Sequence, residues 1–118
     1  MAYTYRFKDI EGNIIYVGFT GQTMAERMNQ HFTKGHLPAE CYKSVASIEY
    51  MKWKTKSDAQ VMEVYFINKY KPRYNKLNKK ADPLTINLGL YLFIKYTSIT
   101  WASLLVFHFI YSIEATDL

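Results

Sequence analysis

Arg27 and His31 stand four positions apart in a segment that predicts a helix, so their side chains share one helical face. The segment directly follows Tyr16-Val17-Gly18, which places both side chains over the end of a predicted strand. A guanidinium is always charged and can hold phosphate oxygens with two parallel hydrogen bonds. The pair is a candidate anion-binding site, although an Arg-His pair at this spacing, taken alone, is usually an ordinary solvated surface pair.

Two tyrosines strengthen this interpretation. Tyr3 and Tyr5 are two positions apart on a predicted strand and point to the same face of it, and Tyr16 lies on the next strand. If Tyr5 and Tyr16 face the same side, two phenols converge near the Arg-His pair. Ordinary half-buried sheet tyrosines are the alternative.

A single carboxylate lies within an apolar helical run. Glu63 is flanked by Val61, Met62, Val64, Tyr65, Phe66 and Ile67. A partly enclosed carboxylate needs a cation, and a divalent metal ion is one candidate; a salt bridge or plain exposure are the alternatives. Asn75 follows 12 positions later, after Pro72.

Three strands and three helices must position these side chains. Residues 2–7 and 13–19 predict an antiparallel hairpin with turn residues Glu11-Gly12-Asn13 between them, and residues 45–53 predict a third strand. Thr23 and Glu26 form a capping-box pattern that opens a helix ending near Lys34. Met24, Met28 and Phe32 form its apolar stripe. A short helix is predicted after Leu37, and a second capping box predicts a helix from Ser57 to about Lys71.

The charge distribution favours a polyanionic partner. Residues 1–80 carry 14 Lys and Arg and 7 Asp and Glu, a net charge of +7, whereas residues 81–118 carry a net charge of −2. Cys41 is the only cysteine, which excludes an intrachain disulfide and a cysteine zinc cluster. The first residues lack the apolar segment of a signal peptide, so we expect a cytoplasmic location.

The last third of the chain differs from the rest. Residues 96–113 contain no formal charge over 18 positions, close to the ~20 apolar residues of a membrane-spanning helix. Several hydroxyl side chains and His108 weaken that interpretation, and the β-branched and aromatic residues suit strands equally well. Residues 81–118 are therefore expected to be a tail that contacts a membrane, packs on the domain or folds poorly.

The order of these residues resembles the GIY-YIG nucleases. Tyr3-Thr4-Tyr5 stands for Gly-Ile-Tyr, and Tyr16-Val17-Gly18 stands for Tyr-Ile-Gly, with Tyr16 eleven positions after Tyr5. The four further polar positions of the family follow in order, at Arg27, His31, Glu63 and Asn75. The resemblance covers residues 3–76, and Tyr3 in place of the leading glycine is its departure.

The resemblance implies an α/β domain over residues 1–80, with a small three-stranded antiparallel sheet flanked by helices. It also implies cleavage of DNA phosphodiesters with a divalent metal and no small-molecule cofactor. Glu63 would hold Mg²⁺ or Mn²⁺, and Arg27 would contact phosphate. Tyr5 is favoured as general base and Tyr16 as the residue that positions water or phosphate, although the family leaves the reverse open. His31 would hydrogen-bond a tyrosine, and Asn75 would orient its neighbours.

DNA contacts are expected from Gly18, where the backbone could approach a phosphate, and from Lys69, Lys71 and Arg73. The alternative function is a DNA-binding module that no longer cuts, with or without membrane tethering through the tail. No recognisable specificity module follows residue 80, and the sequence leaves the oligomeric state open.

Overall fold

The computed structural model describes residues 1–75, 83–95 and 102–104. Its elements, in chain order, are β1 Ala2–Lys8, β2 Ile14–Thr20, α1 Met24–Lys34, α2 Ala39–Ser44, β3 Ser47–Trp53, α3 Lys56–Tyr70, α4 Pro83–Lys95 and β4 Ala102–Leu104.

The sheet is antiparallel, with the strand order β2-β1-β3-β4. The predicted strands β1, β2 and β3 are confirmed, and the helices flank them as expected. A fourth strand of three residues, β4 in the tail, extends the sheet by pairing with β3, where Ala102 lies opposite Tyr50. A register shift between Phe7 and Lys8 marks the end of the hairpin, where the chain turns.

The turn of the hairpin is organised by Asp9. Its carboxylate accepts the backbone N–H groups of Glu11 at 3.0 Å and Asn13 at 2.8 Å. Gly12 has a φ of 87°, a left-handed conformation that glycine adopts without a steric penalty. These contacts account for the predicted turn and hold β1 and β2 in register.

Helices cover both faces of the sheet. On one face, Met24 and Met28 of α1 and Cys41 of α2 pack with Tyr5 and Phe7. On the other face, α3 packs through a separate cluster that also includes strand residues and one residue of α4: Ala2, Val17, Met51, Trp53, Ala59, Met62, Phe66 and Leu92. The hydroxyl of Thr4 donates to the carbonyl oxygen of Ala59 at 2.8 Å, which joins β1 to α3 on this face.

Helices α1 and α3 begin with threonine caps. Thr23 caps α1 as predicted, with its side chain accepting the N–H of Glu26. The predicted cap of α3 at Ser57 is wrong, because Thr55 caps this helix and accepts the N–H of Asp58. Two overlapping cap patterns occur here, and Thr55 has the extended backbone of a cap residue whereas Ser57 lies inside the first turn.

The described part of the tail packs on the domain. Helix α4 crosses α3 closely at Gly89, where a Cβ would lie 2.6 Å from the Cβ of Tyr65. Of the uncharged stretch 96–113, only residues 102–104 lie within the described part of the chain. The predicted domain boundary at residue 80 lies outside the described residues. No helix within residues 1–75 or 83–95 is long and apolar enough to cross a bilayer.

Candidate active site

Tyr5 lies at the centre of the site. It is fully buried in the middle of β1, and its hydroxyl is 2.6 Å from Nε2 of His31. Arg27 donates from Nε to the same hydroxyl at 3.3 Å. Because Arg27 and His31 are one turn apart on α1, the helix brings both side chains to one phenol, as their spacing predicted.

Tyr16 is the second phenol of the site. It pairs with Phe7 in the β1–β2 register, while Tyr5 pairs with Gly18, so the two tyrosines point to the same face. Their ring centroids are 6.2 Å apart, and the Tyr16 ring is 5.7 Å from the His31 ring. The expected convergence of the two phenols beside the Arg-His pair therefore occurs.

Burial dominates the proton affinities of these side chains. It raises the pKa of Tyr5 to about 12, although the positive charge and hydrogen bond of Arg27 oppose the rise. Burial also raises the pKa of Tyr16, with the neighbouring Tyr5 adding to the effect. Burial and then the charge of Arg27 lower the pKa of His31 to about 3, so its imidazole is neutral at pH 7.

Glu63 supplies negative charge to the site from α3. It is one of the buried residues of this helix, with 6% of the residue exposed. Its charge contributes to the raised pKa of Tyr5 and of Tyr16, which shows that all three groups are within electrostatic range. The enclosed carboxylate that the sequence predicted is therefore present, within electrostatic range of the two phenols.

Asn75 acts on the backbone of β2. Its side-chain oxygen accepts the N–H of Val17 at 2.9 Å, and its amide donates to the Val17 carbonyl oxygen at 2.8 Å. The N–H of Tyr74 donates to the carbonyl oxygen of Ile15 at 3.0 Å. These three bonds hold the strand segment from which Tyr16 and Gly18 enter the site.

A model of the GIY-YIG catalytic domain matches residues 1–78. The chain belongs to the GIY-YIG family. The resemblance inferred from the two tripeptides and the four following polar residues is thereby confirmed, and it assigns the domain to a class of nucleases that hydrolyse phosphodiester bonds.

Curated relatives agree with this assignment. The UvrABC system protein C of Bacteroides thetaiotaomicron is 38% identical over 78 residues, and that of Caldanaerobacter subterraneus is 40% identical over 79 residues. Each alignment covers 64% of this chain but 13% of the relative, so the chain spans about an eighth of their length. No solved structure matches the chain.

The predicted cationic DNA contacts do not line the cleft that contains Arg27. Lys69 places its ammonium 4.7 Å from the centroid of Phe93 on α4, and Arg73 stacks on Tyr74 at 4.8 Å. Lys71 is the exposed residue that ends α3. The cation that shares the Arg27 cleft is Lys56; the cleft has a volume of about 480 Å³ and is lined by Phe19, Thr20, Gly21, Gln22, Arg27 and Lys56.

Two residues of this GIY-YIG site were not predicted. The Tyr42 hydroxyl is 2.9 Å from Nδ1 of His31, and the exposed His36 has its ring 5.7 Å from the His31 ring. His31 lies on α1 and Tyr42 on α2, so no period within a single element relates the two. His36 could have been noticed, since two of the three histidines in the chain stand within six residues.

Proposed function

We propose that the chain is a metal-dependent endonuclease that hydrolyses DNA phosphodiester bonds, with Tyr5 as general base. The observation that supports this most directly is the pair of contacts at the Tyr5 hydroxyl, from His31 Nε2 at 2.6 Å and Arg27 Nε at 3.3 Å. Both nitrogens can donate to a phenolate, and Arg27 adds a positive charge. These two contacts therefore stabilise the phenolate that a general base requires, against the larger effect of burial, which leaves the pKa of Tyr5 raised to about 12.

In the proposed reaction, the Tyr5 phenolate takes a proton from a water molecule whose oxygen attacks the phosphorus. The bond from phosphorus to the leaving oxygen breaks, and that oxygen takes up a proton from solvent. Arg27 is only partly buried, so its terminal nitrogens can contact phosphate oxygens while Nε stays on Tyr5. Tyr16 positions the water or the phosphate beside Tyr5.

Glu63 is suited to be the protein ligand of a divalent cation. Mg²⁺ and Mn²⁺ prefer oxygen donors, and Mg²⁺ is commonly held by one or two carboxylates together with water and substrate phosphate. Within residues 1–75, 83–95 and 102–104, no group of three or more His, Cys, Asp or Glu forms a metal cage, which is consistent with such an open site. When bound, the ion would stabilise the negative charge of the phosphate.

The DNA strand is proposed to approach through the cleft that contains Arg27 and Lys56. A phosphodiester backbone is attracted to this surface because residues 1–80 carry a net charge of +7. Lys69, Lys71, Arg73 and the backbone at Gly18 remain predicted DNA contacts.

Nicking of supercoiled plasmid tests the proposal. The protein should nick in Mg²⁺ or Mn²⁺ and not in EDTA, and Glu63→Gln should abolish nicking while it leaves folding and most DNA affinity intact. The matched control is Glu40→Gln, since Glu40 is an exposed carboxylate on α2, and this variant should nick like the wild type.

The second candidate is a DNA-binding module that does not cut. Salt-sensitive DNA binding by the folded protein, without nicks in any divalent metal, would replace the nuclease proposal with this one. Nicking that survives in Glu63→Gln would instead remove Glu63 from the mechanism and leave the activity in place.

A further inference from the structure

Tyr42 makes a contact that the proposed reaction does not use. Its hydroxyl reaches from α2 to Nδ1 of His31 at 2.9 Å, on the side of the imidazole opposite the bond between Nε2 and Tyr5. The chain of side chains therefore runs from Tyr42 through His31 to Tyr5. Both bonds of the imidazole end on phenol oxygens.

The position of the Tyr42 hydroxyl depends on its surroundings. A Cβ at Gly35 would overlap this hydroxyl and the carbonyl oxygen of His31, so glycine at the end of α1 leaves the space that the phenol occupies. The backbone N–H of Leu37 donates to the Tyr42 oxygen at 3.4 Å, and the Tyr42 ring packs on Phe32 with the centroids 5.3 Å apart. The hydroxyl is thus held by groups from α1 and from the α1–α2 connection.

The two imidazole bonds depend on each other. A neutral imidazole has one N–H, so one ring nitrogen donates and the other accepts. If Nδ1 accepts from the Tyr42 hydroxyl, Nε2 carries the hydrogen and donates to the Tyr5 oxygen. If Nδ1 donates, Nε2 must accept, and it then competes for the Tyr5 proton without stabilising a phenolate.

We propose that Tyr42 is a positioning residue whose hydroxyl donates to Nδ1 of His31 and thereby keeps the imidazole hydrogen on Nε2, directed at Tyr5. The Leu37 N–H approaches the Tyr42 oxygen, and the hydroxyl hydrogen is left to point at Nδ1. The tautomer of His31 does not depend on the proposed function; only its consequence for cleavage does.

The tautomer can be measured in the metal-free 118-residue protein. Long-range ¹H–¹⁵N correlation spectra of ¹⁵N-histidine-labelled protein at pH 7.5 distinguish a protonated from an unprotonated ring nitrogen, and His31→Gln assigns the signals. We expect Nε2 to be protonated in the wild type, and Tyr42→Phe to shift the population toward the Nδ1–H form. A wild-type hydrogen on Nδ1, or a tautomer unchanged in Tyr42→Phe, would overturn the proposal.

Cleavage supplies the second test. Single-turnover nicking by Tyr42→Phe should be slower by about 5- to 10-fold, the effect of one lost hydrogen bond, with unchanged DNA affinity. Tyr50→Phe is the matched control, because Tyr50 is a half-buried tyrosine whose ring packs on Tyr3, and it should cut at the wild-type rate. Equal rates for all three proteins would overturn the catalytic part. A wild type that never nicks would refute the proposed function, while the spectra would still decide the role of Tyr42.

Discussion

The hydroxyl of Tyr5 occupies the space into which any side chain at position 18 would project. A Cβ on Gly18 would lie 2.6 Å from the Tyr5 hydroxyl oxygen and 2.7 Å from its Cζ atom, closer than real Cβ contacts come. The register explains this overlap, because Tyr5 and Gly18 are directly paired between β1 and β2. The glycine of the Tyr-Val-Gly tripeptide therefore has a role in the fold itself, in addition to its predicted role of letting a phosphate approach the backbone.

Gly18→Ala should displace the Tyr5 hydroxyl from Arg27 and His31. The overlap involves a buried aromatic ring, so we expect a loss of about 1–3 kcal/mol in the free energy of unfolding. Misplacing a reacting group by about 1 Å can cost about 100-fold in rate, and nicking should fall by that order. Urea unfolding and single-turnover nicking measure the two effects.

Gly21→Ala is the control for that substitution. The nearest atom to a Cβ at Gly21 is Cδ of Lys56 at 3.7 Å, an ordinary contact at the end of a flexible side chain. This variant should match the wild type in urea unfolding and should not show the 100-fold loss of nicking rate, even though Gly21 lines the proposed DNA cleft. A Gly18→Ala protein with wild-type stability and rate would show that Tyr5 can move without consequence.

The two tyrosines should respond differently to pH. Burial raises the pKa of Tyr5 to about 12 in the protein without metal. Below the pKa that Tyr5 has with metal and DNA bound, the phenolate fraction rises tenfold per pH unit, and the nicking rate should rise with it. Tyr5→Phe should lower the rate by about 100- to 10,000-fold and remove this slope. Tyr16→Phe should lower the rate but keep the slope. The reverse pattern, measured from pH 7 to 9, would assign the base to Tyr16.

Patterns within a single element predicted much of this site. Helix α1 begins at the predicted cap, Thr23, and carries the predicted apolar residues Met24 and Met28. It also carries Arg27 and His31 one turn apart. These features were predictable because caps and helical spacing are local properties of the sequence. The Ser57 cap failed for a local reason too, since a second acceptor two residues earlier competed for the same helix start.

Contacts between distant segments were not predictable in the same way. Tyr42 reaches His31 only because α2 folds back past Gly35, and nothing in the spacing of these residues requires that path. Strand β4 lies more than 45 residues after β3 along the chain, so no local pattern could predict that the two strands pair. The apolar composition of the tail did not separate strand from helix.

His31 should make the protein less stable in acid. Its pKa is about 3 in the folded chain against an ordinary value of 6.5, so between these values the unfolded chain binds a proton that the folded chain does not. The free energy of unfolding should therefore decrease as pH falls from 6.5. At pH 5.0 the loss from this residue approaches about 2 kcal/mol.

Urea unfolding at pH 7.0 and pH 5.0 tests the effect of His31. His31→Gln should show a smaller loss between the two pH values than the wild type, by about 2 kcal/mol, even if it is less stable at pH 7.0. His36→Gln replaces the neighbouring exposed histidine and should keep the wild-type loss. If all three proteins lose the same free energy, the pKa of His31 is not lowered in the folded state.

Lys56 should contribute more to DNA affinity than Lys69. Lys56 lines the same cleft as Arg27, whereas the ammonium of Lys69 lies 4.7 Å from the Phe93 ring, on the α4 side of the domain. Lys56→Ala should weaken DNA binding about fivefold and reduce the slope of log affinity against log salt by about 1, as expected for one lost phosphate contact. Lys69→Ala should weaken binding less than Lys56→Ala and change the salt slope less. Binding measured from low to moderate salt decides between them: a larger loss for Lys69→Ala would mean that the DNA runs along α3 and α4 instead of through the Arg27 cleft.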